Sequence, residues 1–310
     1  MKAVALGAFD QEPAITDLDI PVPAAGEVRV HVRAASVNGF DLAVANGYLN
    51  GAMEHRFPVV LGKDFAGTVD AVGPGVDDYR KGDRVFGVVT KAFLGDGSFA
   101  EYVTVPVTVG IAKLPESIDF ATAAALGLAG TAAVDAFDAA QITSGQTVLI
   151  AGATGGVGNH VLQLAAKAGA HVVATAHSDQ ERDQVRRLGA TEVVDYTGDV
   201  AAQVGHAHPT GVDTVIHLAG DPSGLLPAVA AGGRFVSTLV GSPEQLDAGT
   251  VTVVPVMANP APATLQRIAE HNATGHTTVS IQQIFDLDAT TDAFAAFGKG
   301  TLGKLVISID

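Results

Sequence analysis

Along the first part of the chain, apolar residues recur at every second position. "EVRVHVR" sets Val28, Val30 and Val32 against polar neighbours, the alternation of a strand with one buried face. "AGTVDAVGPGV" and "GDRVFGVV" read as further strands, punctuated by "GPG" and "YRKGD" turns. After "LPESIDF" the texture changes. "ATAAALGLAGTAAVDAFDAAQ" reads as a helix, and short apolar runs then alternate with helical text. Strand candidates begin at Thr147, His171, Thr191, Val212, Gly233 and Val251. Such alternation predicts a parallel sheet with right-handed crossovers. The tail adds a helix from Ala261 to His271, a strand near Val279, a helix near Thr291 and a closing strand "GKLVISI".

One stretch joins this pattern to chemistry. "TVLIAGATGGVGNHVLQLAAKAGA" is a strand, a glycine turn and a helix. Gly152, Gly155 and Gly158 stand at every third position, suiting a tight turn, close approach of a ligand to the backbone, and close helix–strand packing. Val157, Val161, Leu164, Ala165 and Ala168 share the helix face expected against the sheet. The helix N-terminus offers unpaired N–H groups and partial positive charge to a pyrophosphate. A dinucleotide is therefore expected at this turn. Beyond the second strand, "HVVATAHSDQER" puts Ala176 or His177 where NAD sites carry a ribose-binding carboxylate, with Asp179 a little further on. Ser178 and Arg182 stand close by, so a 2′-phosphate, and hence NADPH, is the expected partner.

Composition removes other classes. Among 310 residues there is no cysteine, which excludes disulfides, thiolate catalysis and Cys-based metal sites. A net charge of −15 argues against nucleic acid as a partner. No apolar run approaches the roughly 18–20 residues that cross a bilayer, and the N-terminus is too acidic and proline-rich for a secretory signal, so no membrane partner and a cytoplasmic location are expected.

Several segments in register resemble the zinc-independent quinone oxidoreductase branch of the medium-chain dehydrogenase/reductase superfamily. They are "AASVNGFDLAVANGYL", "LGKDFAGTVDAVGPGVDDYRKGDRVFG", "DGSFAEYVTVP", "GLAGTAAVDAF", "AGATGGVG", "GVDTVIHLAG", "GGRFVSTLVG" and "GKLVISI". The resemblance implies an α/β protein: a GroES-like, mostly-β domain over 1–118 with 259–310, and a doubly wound parallel-sheet (Rossmann) domain over 119–258. It also implies an active-site cleft between the domains and a homodimer formed by pairing cofactor-domain sheets. Cofactor contacts would come from Asn38, Thr131, Gly152, Thr154, Gly155, Gly156, Val157, Ser178, Arg182, Tyr196, Ala219, Val240, Gly241 and Lys299. Val240 and Gly241 would end the fifth strand, and Lys299 would reach the 2′-phosphate from the tail.

Departures from the superfamily pattern are equally specific. Zinc-dependent alcohol dehydrogenases carry an early catalytic Cys and a His–Glu pair. This chain has Asn38 and Lys63–Asp64 at those positions, so no metal is expected there. A second family tyrosine is replaced by Ala43. The expected reaction is hydride transfer from NADPH to a quinone or α,β-unsaturated carbonyl, leaving an oxyanion that needs a hydrogen-bond or proton donor. Asn38, Tyr48 and Lys63 are the candidate donors, with Asp41 holding Asn38 or a loop in place; Asp64 is expected to bond backbone. Two alternatives remain: an enoyl-thioester reductase like the modules of polyketide synthases, and an NADPH-binding sensor or crystallin-like protein. A short-chain dehydrogenase is excluded, because no tyrosine has Lys four residues later. His206 and His208 form an H-x-H pair without a third ligand in sequence reach, so no metal is expected there either. His217 is expected in the core or cleft, and Arg186 and Arg187 on a solvated helix face.

Overall fold

Strand Glu27–Ser36 organises the N-terminal half. Its Val28, Val30 and Val32 are fully buried, as their alternation requires. It pairs antiparallel with Asp64–Val72 on one side and Lys304–Ser308 on the other, and Tyr102–Pro106 also joins it. The sheet continues through Arg84–Val88 to Ile111–Lys113 at one end and Ile281–Asp286 at the other. Phe65 and Phe99 fill the core beside these valines. In this computed structural model residues 1–309 are described, and the chain divides into two compact units. The first comprises 1–129, 260–275 and 281 onward; the second comprises 130–259 and 276–280.

Helix α1, Phe120–Ala140, carries the division between the units, which falls inside the helix rather than before it. Its 21 residues are long and apolar enough to cross a membrane, contrary to the expectation that no such run exists. However, 67% of its most apolar window is buried within the protein, and Ala123 to Leu126 are fully covered. That is what the apolar composition serves in a core helix.

The second unit alternates strand and helix: β1 (Thr147–Ala151), α2 (Gly156–Lys167), β2 (His171–Thr175), α3 (Asp179–Leu188), β3 (Glu192–Val194), α4 (Val200–Ala207), β4 (Val212–His217), β5 (Val229–Ser237) and β6 (Thr252–Pro255). All the strands are parallel, in the spatial order β3-β2-β1-β4-β5-β6. This doubly wound order places ligands at the carboxyl ends of the strands, where the order reverses beside β1. The fifth strand begins at Val229, earlier than Gly233. Helix α2 is buried more widely than one apolar face: Asn159, His160 and Gln163 are covered too. The 276–280 segment contributes to this, with Gln163 Nε2 donating to the Thr278 carbonyl at 2.9 Å and the Thr278 N–H donating to Gln163 Oε1 at 2.8 Å.

Candidate functional site: a nucleotide turn and a buried polar network

Beyond Ala151 the chain turns through Gly152 at φ +91°, a region that side chains disfavour. A Cβ on Gly158 would stand 2.1 Å from the Gly152 carbonyl oxygen, so only glycine lets α2 start this close to β1. Gly155, the N-cap of α2, is different. The nearest heavy atom to a Cβ there is 3.7 Å away, so packing within the chain does not demand glycine. Thr154 and Gly155 complete the turn, while Gly156 and Val157 open the helix whose first N–H groups lack intrahelical partners. Thr175, ending β2, braces the turn: its Oγ1 accepts from the Gly152 N–H at 2.9 Å and donates to the Ile150 carbonyl at 3.3 Å. Ala219, just past β4, is adjacent, its Cβ 3.1 Å from where a Gly152 Cβ would be.

Ser178, Arg182 and Tyr196 come together beyond β2, but around two carboxylates. Ser178 caps α3, its Oγ accepting from the Glu181 N–H at 3.3 Å while Glu181 accepts from the Ser178 N–H at 3.1 Å. Tyr196 donates to Glu181 at 3.1 Å. Arg182 donates to the His177 carbonyl at 3.0 Å and reaches Asp195 at 3.4 Å. Hydrogen bonds from the Thr197 backbone and side chain, then from His177, hold the Asp195 carboxyl well below the usual carboxylate range. Asp179 is the first residue of α3. Glu181 was findable from the S-x-x-E capping pattern in "SDQE"; Asp195 had no local signal. Arg186 and Arg187 are exposed.

At the end of β4, His217 is fully buried between the Ser237 hydroxyl at 2.8 Å and the Gly220 carbonyl at 3.1 Å. Burial lowers its pKa despite the Gly220 contact, keeping the ring neutral. Ser237 Oγ also accepts the N–H groups of Leu239 and Val240, both at 3.0 Å. Val240 and Gly241 therefore lie in a tethered loop and do not end the strand, which stops at Ser237. The Gly241 N–H donates to Gln245 at 2.8 Å. Thr131 is fully buried in α1.

The first unit holds a buried polar network. Asp64, fully covered, accepts from the Ser36 hydroxyl at 2.6 Å, the Asn38 amide at 2.8 Å and the Leu128 N–H at 2.7 Å. Lys304 donates to Asn38 Oδ1 at 2.7 Å and the Val37 carbonyl at 2.9 Å, and lies 3.4 Å from Asp64. The Asn38 N–H in turn donates to buried Asp41 at 2.8 Å. Burial, then the neighbouring Asp64 charge, push the Asp41 carboxyl up to about 7 against the pull of the Asn38 N–H and of Lys304 and Lys63. Half-buried Lys63 donates to the Val89 carbonyl at 2.7 Å and sits 4.8 Å from the Phe40 ring centre. Burial lowers its pKa although Asp41 and Asp64 oppose this. Tyr48 is 78% exposed, and Lys299 is exposed after helix Thr290–Phe297. Nothing local in the sequence marks Lys304 or Ser36 as members of this network, because their partners are distant in the chain.

Residues 24–116 match the alcohol dehydrogenase GroES-like domain, and 156–279 match the zinc-binding dehydrogenase family. A quinone oxidoreductase of Sus scrofa is 35% identical over 235 residues, covering 73% of this chain and 68% of that protein. The chain belongs to the quinone oxidoreductase branch of the medium-chain dehydrogenase/reductase superfamily. A solved quinone oxidoreductase from Coxiella burnetii superposes with a TM-score of 0.91 at 25% identity, over 100% of this chain and 99% of that one. Quinone oxidoreductases are not the sole relatives. A mycocerosic acid synthase-like polyketide synthase of Mycobacterium tuberculosis is 36% identical over 241 residues, 76% of this chain. The chain spans about a tenth of that synthase's length, 11%.

Proposed function

We propose that the chain is an NADPH-dependent, zinc-free reductase that delivers hydride to a quinone or an α,β-unsaturated carbonyl. The observation that carries this is the glycine turn. Gly158 is demanded by helix packing, but Gly155 is demanded by nothing in the chain, and it stands over the N-terminal amides of α2. A diphosphate fits that cradle, with Thr154, Gly155, Gly156 and Val157 holding it. Ser178, Arg182 and Tyr196 are assigned to the 2′-phosphate, Arg182 exchanging its loose contact to Asp195 for the phosphate. Bound NADPH supplies the hydride.

The donors in the first unit do not fit a catalytic zinc. Zinc needs deprotonated nitrogen, oxygen or sulfur ligands. Asn38 spends its amide on Asp64 and its carbonyl on Lys304, Lys63 is a cation, and both Asp64 oxygens are occupied. No step is routed through a metal. Hydride addition to the conjugated system leaves negative charge on the acceptor oxygen, which a hydrogen-bond donor must stabilise. Lys63 is assigned that role, because its ammonium carries three N–H bonds and the Val89 carbonyl uses one. Asn38 and Asp41 act as positioning residues, and exposed Tyr48 is a second candidate donor to the acceptor oxygen.

A second reading, an enoyl-thioester reductase, is favoured by the likeness to the polyketide synthase. Both readings deliver hydride to a conjugated carbonyl, so an acceptor panel separates them: benzoquinones, simple enones and a crotonyl thioester, each with NADPH and with NADH. Turnover confined to the thioester selects the second reading. NADPH binding without turnover of any acceptor leaves a sensor and overturns both. Lys63→Met is expected to lower kcat with little change in NADPH affinity; unchanged kcat removes Lys63 from the chemistry. A homodimer is also proposed, because β6 is an edge strand and Met257 just beyond it is 92% exposed. Sedimentation at monomer mass would refute it.

A further inference from the structure

Far from the glycine turn, the fold assembles a group that the sequence pattern did not announce. His208 does not work with His206. It is the C-cap of α4, and its Nε2 lies 3.2 Å from Glu192 Oε2. The other Glu192 oxygen, Oε1, lies 2.6 Å from His171 Nε2. One ligand atom from each of the three residues falls within 4.8 Å of the others. The reason is strand register. Val173 lies opposite Glu192 in the parallel β2–β3 pair, so His171, two residues earlier, projects from the same sheet face as Val173. Helix α4 then returns His208 to that face.

We propose that His171, Glu192 and His208 bind one divalent transition metal, with Zn²⁺ the best fit, as a structural clamp. Two imidazoles and one carboxylate are a donor set that zinc accepts, and water supplies the fourth position. Tetrahedral coordination at about 2.1 Å puts ligand atoms roughly 3.4 Å apart. The ligand atoms, now within 4.8 Å of one another, would draw in to about that spacing, with the ion replacing the two Glu192–histidine contacts. The side chains are 35%, 36% and 19% exposed in chain order, so an ion and its water have access. His171 and Glu192 each begin their strand, whereas the nucleotide turn follows the carboxyl end of β1. The ion would therefore tie β2, β3 and α4 together without entering the reaction. This inference does not depend on the proposed activity.

The test is calorimetric titration of the tag-free full chain with Zn²⁺, and with Co²⁺ followed by its visible d–d absorption. The expected result is one saturable equivalent, a four-coordinate cobalt spectrum and a raised Tm. His171→Gln, His208→Gln and Glu192→Gln should each weaken binding by more than about tenfold, since loss of even an outer partner of a metal site costs that much. His206→Ala should bind like wild type. No saturable binding by the wild-type chain overturns the proposal. So does equal affinity in His171→Gln, in His208→Gln and in wild type, or a comparable loss in His206→Ala. Because the three glutamine variants change different elements, a folding defect in one leaves the other two as tests.

Discussion

Lys304 donates a 2.7 Å hydrogen bond to Asn38 across 266 residues of chain. Antiparallel register makes this contact: Val306 lies opposite Ser36, so Lys304, two residues back, comes level with Asn38, two residues on. Asp64 lies opposite Ser36 on the other side, which completes the group.

Removing the cation from this network should be costly, because it leaves the Asp64 carboxylate buried with less compensation. Lys304→Met is expected to destabilise the protein by about 3–5 kcal/mol, and an Asp64→Asn/Lys304→Met double variant to recover part of the loss. Urea unfolding measures both. A Lys304→Met midpoint equal to wild type would contradict the account.

Asp41 should make stability depend on pH. Its folded carboxyl titrates near 7 against an ordinary 3.8, so the folded state binds the proton more tightly. Its contribution is fully present below about pH 3.8 and is lost as pH rises through about 7. Asp41→Asn lacks this loss while keeping an oxygen to accept the Asn38 N–H. Relative to wild type, the variant should gain on the order of 1–4 kcal/mol between about pH 4 and pH 8. Parallel unfolding curves at the two pH values check the sign.

The two outer glycines of the α2 N-terminus should separate packing from binding. Gly158→Ala forces a Cβ to within 2.1 Å of a backbone oxygen and should cost about 1–3 kcal/mol or more. Gly155→Ala meets nothing nearer than 3.7 Å, so its Tm should stay near wild type while NADPH affinity falls. Thermal melts and fluorescence titration with NADPH read the two effects independently.

Cofactor choice should reside in Arg182. Arg182→Ala is expected to raise KM for NADPH roughly tenfold, the worth of one hydrogen bond to a charged group, while KM for NADH hardly moves. Steady-state kinetics with both cofactors decide it; an identical ratio in the variant and wild type would remove the phosphate assignment.

The elements themselves were legible because their signals are local. Val28, Val30 and Val32 alternate because successive strand residues face opposite sides, and Gly152 to Gly158 carry a turn whose strain and clearances act within seven residues. Where a signal is not periodic it is weaker: the membrane-length apolar window of α1 and the start of β5 at Val229 both depart from what the sequence predicts. What the folded chain alone decided lies across strand pairs. The partners Asp64 and Lys304 of Asn38, the carboxylate of Asp195 beside Arg182, and the joining of His171, Glu192 and His208 all depend on which strand lies beside which, and in what register. Hydrophobic alternation tells a strand which face to bury, but it carries no label for its neighbour. The side chains that meet across that border are therefore chosen by the tertiary packing.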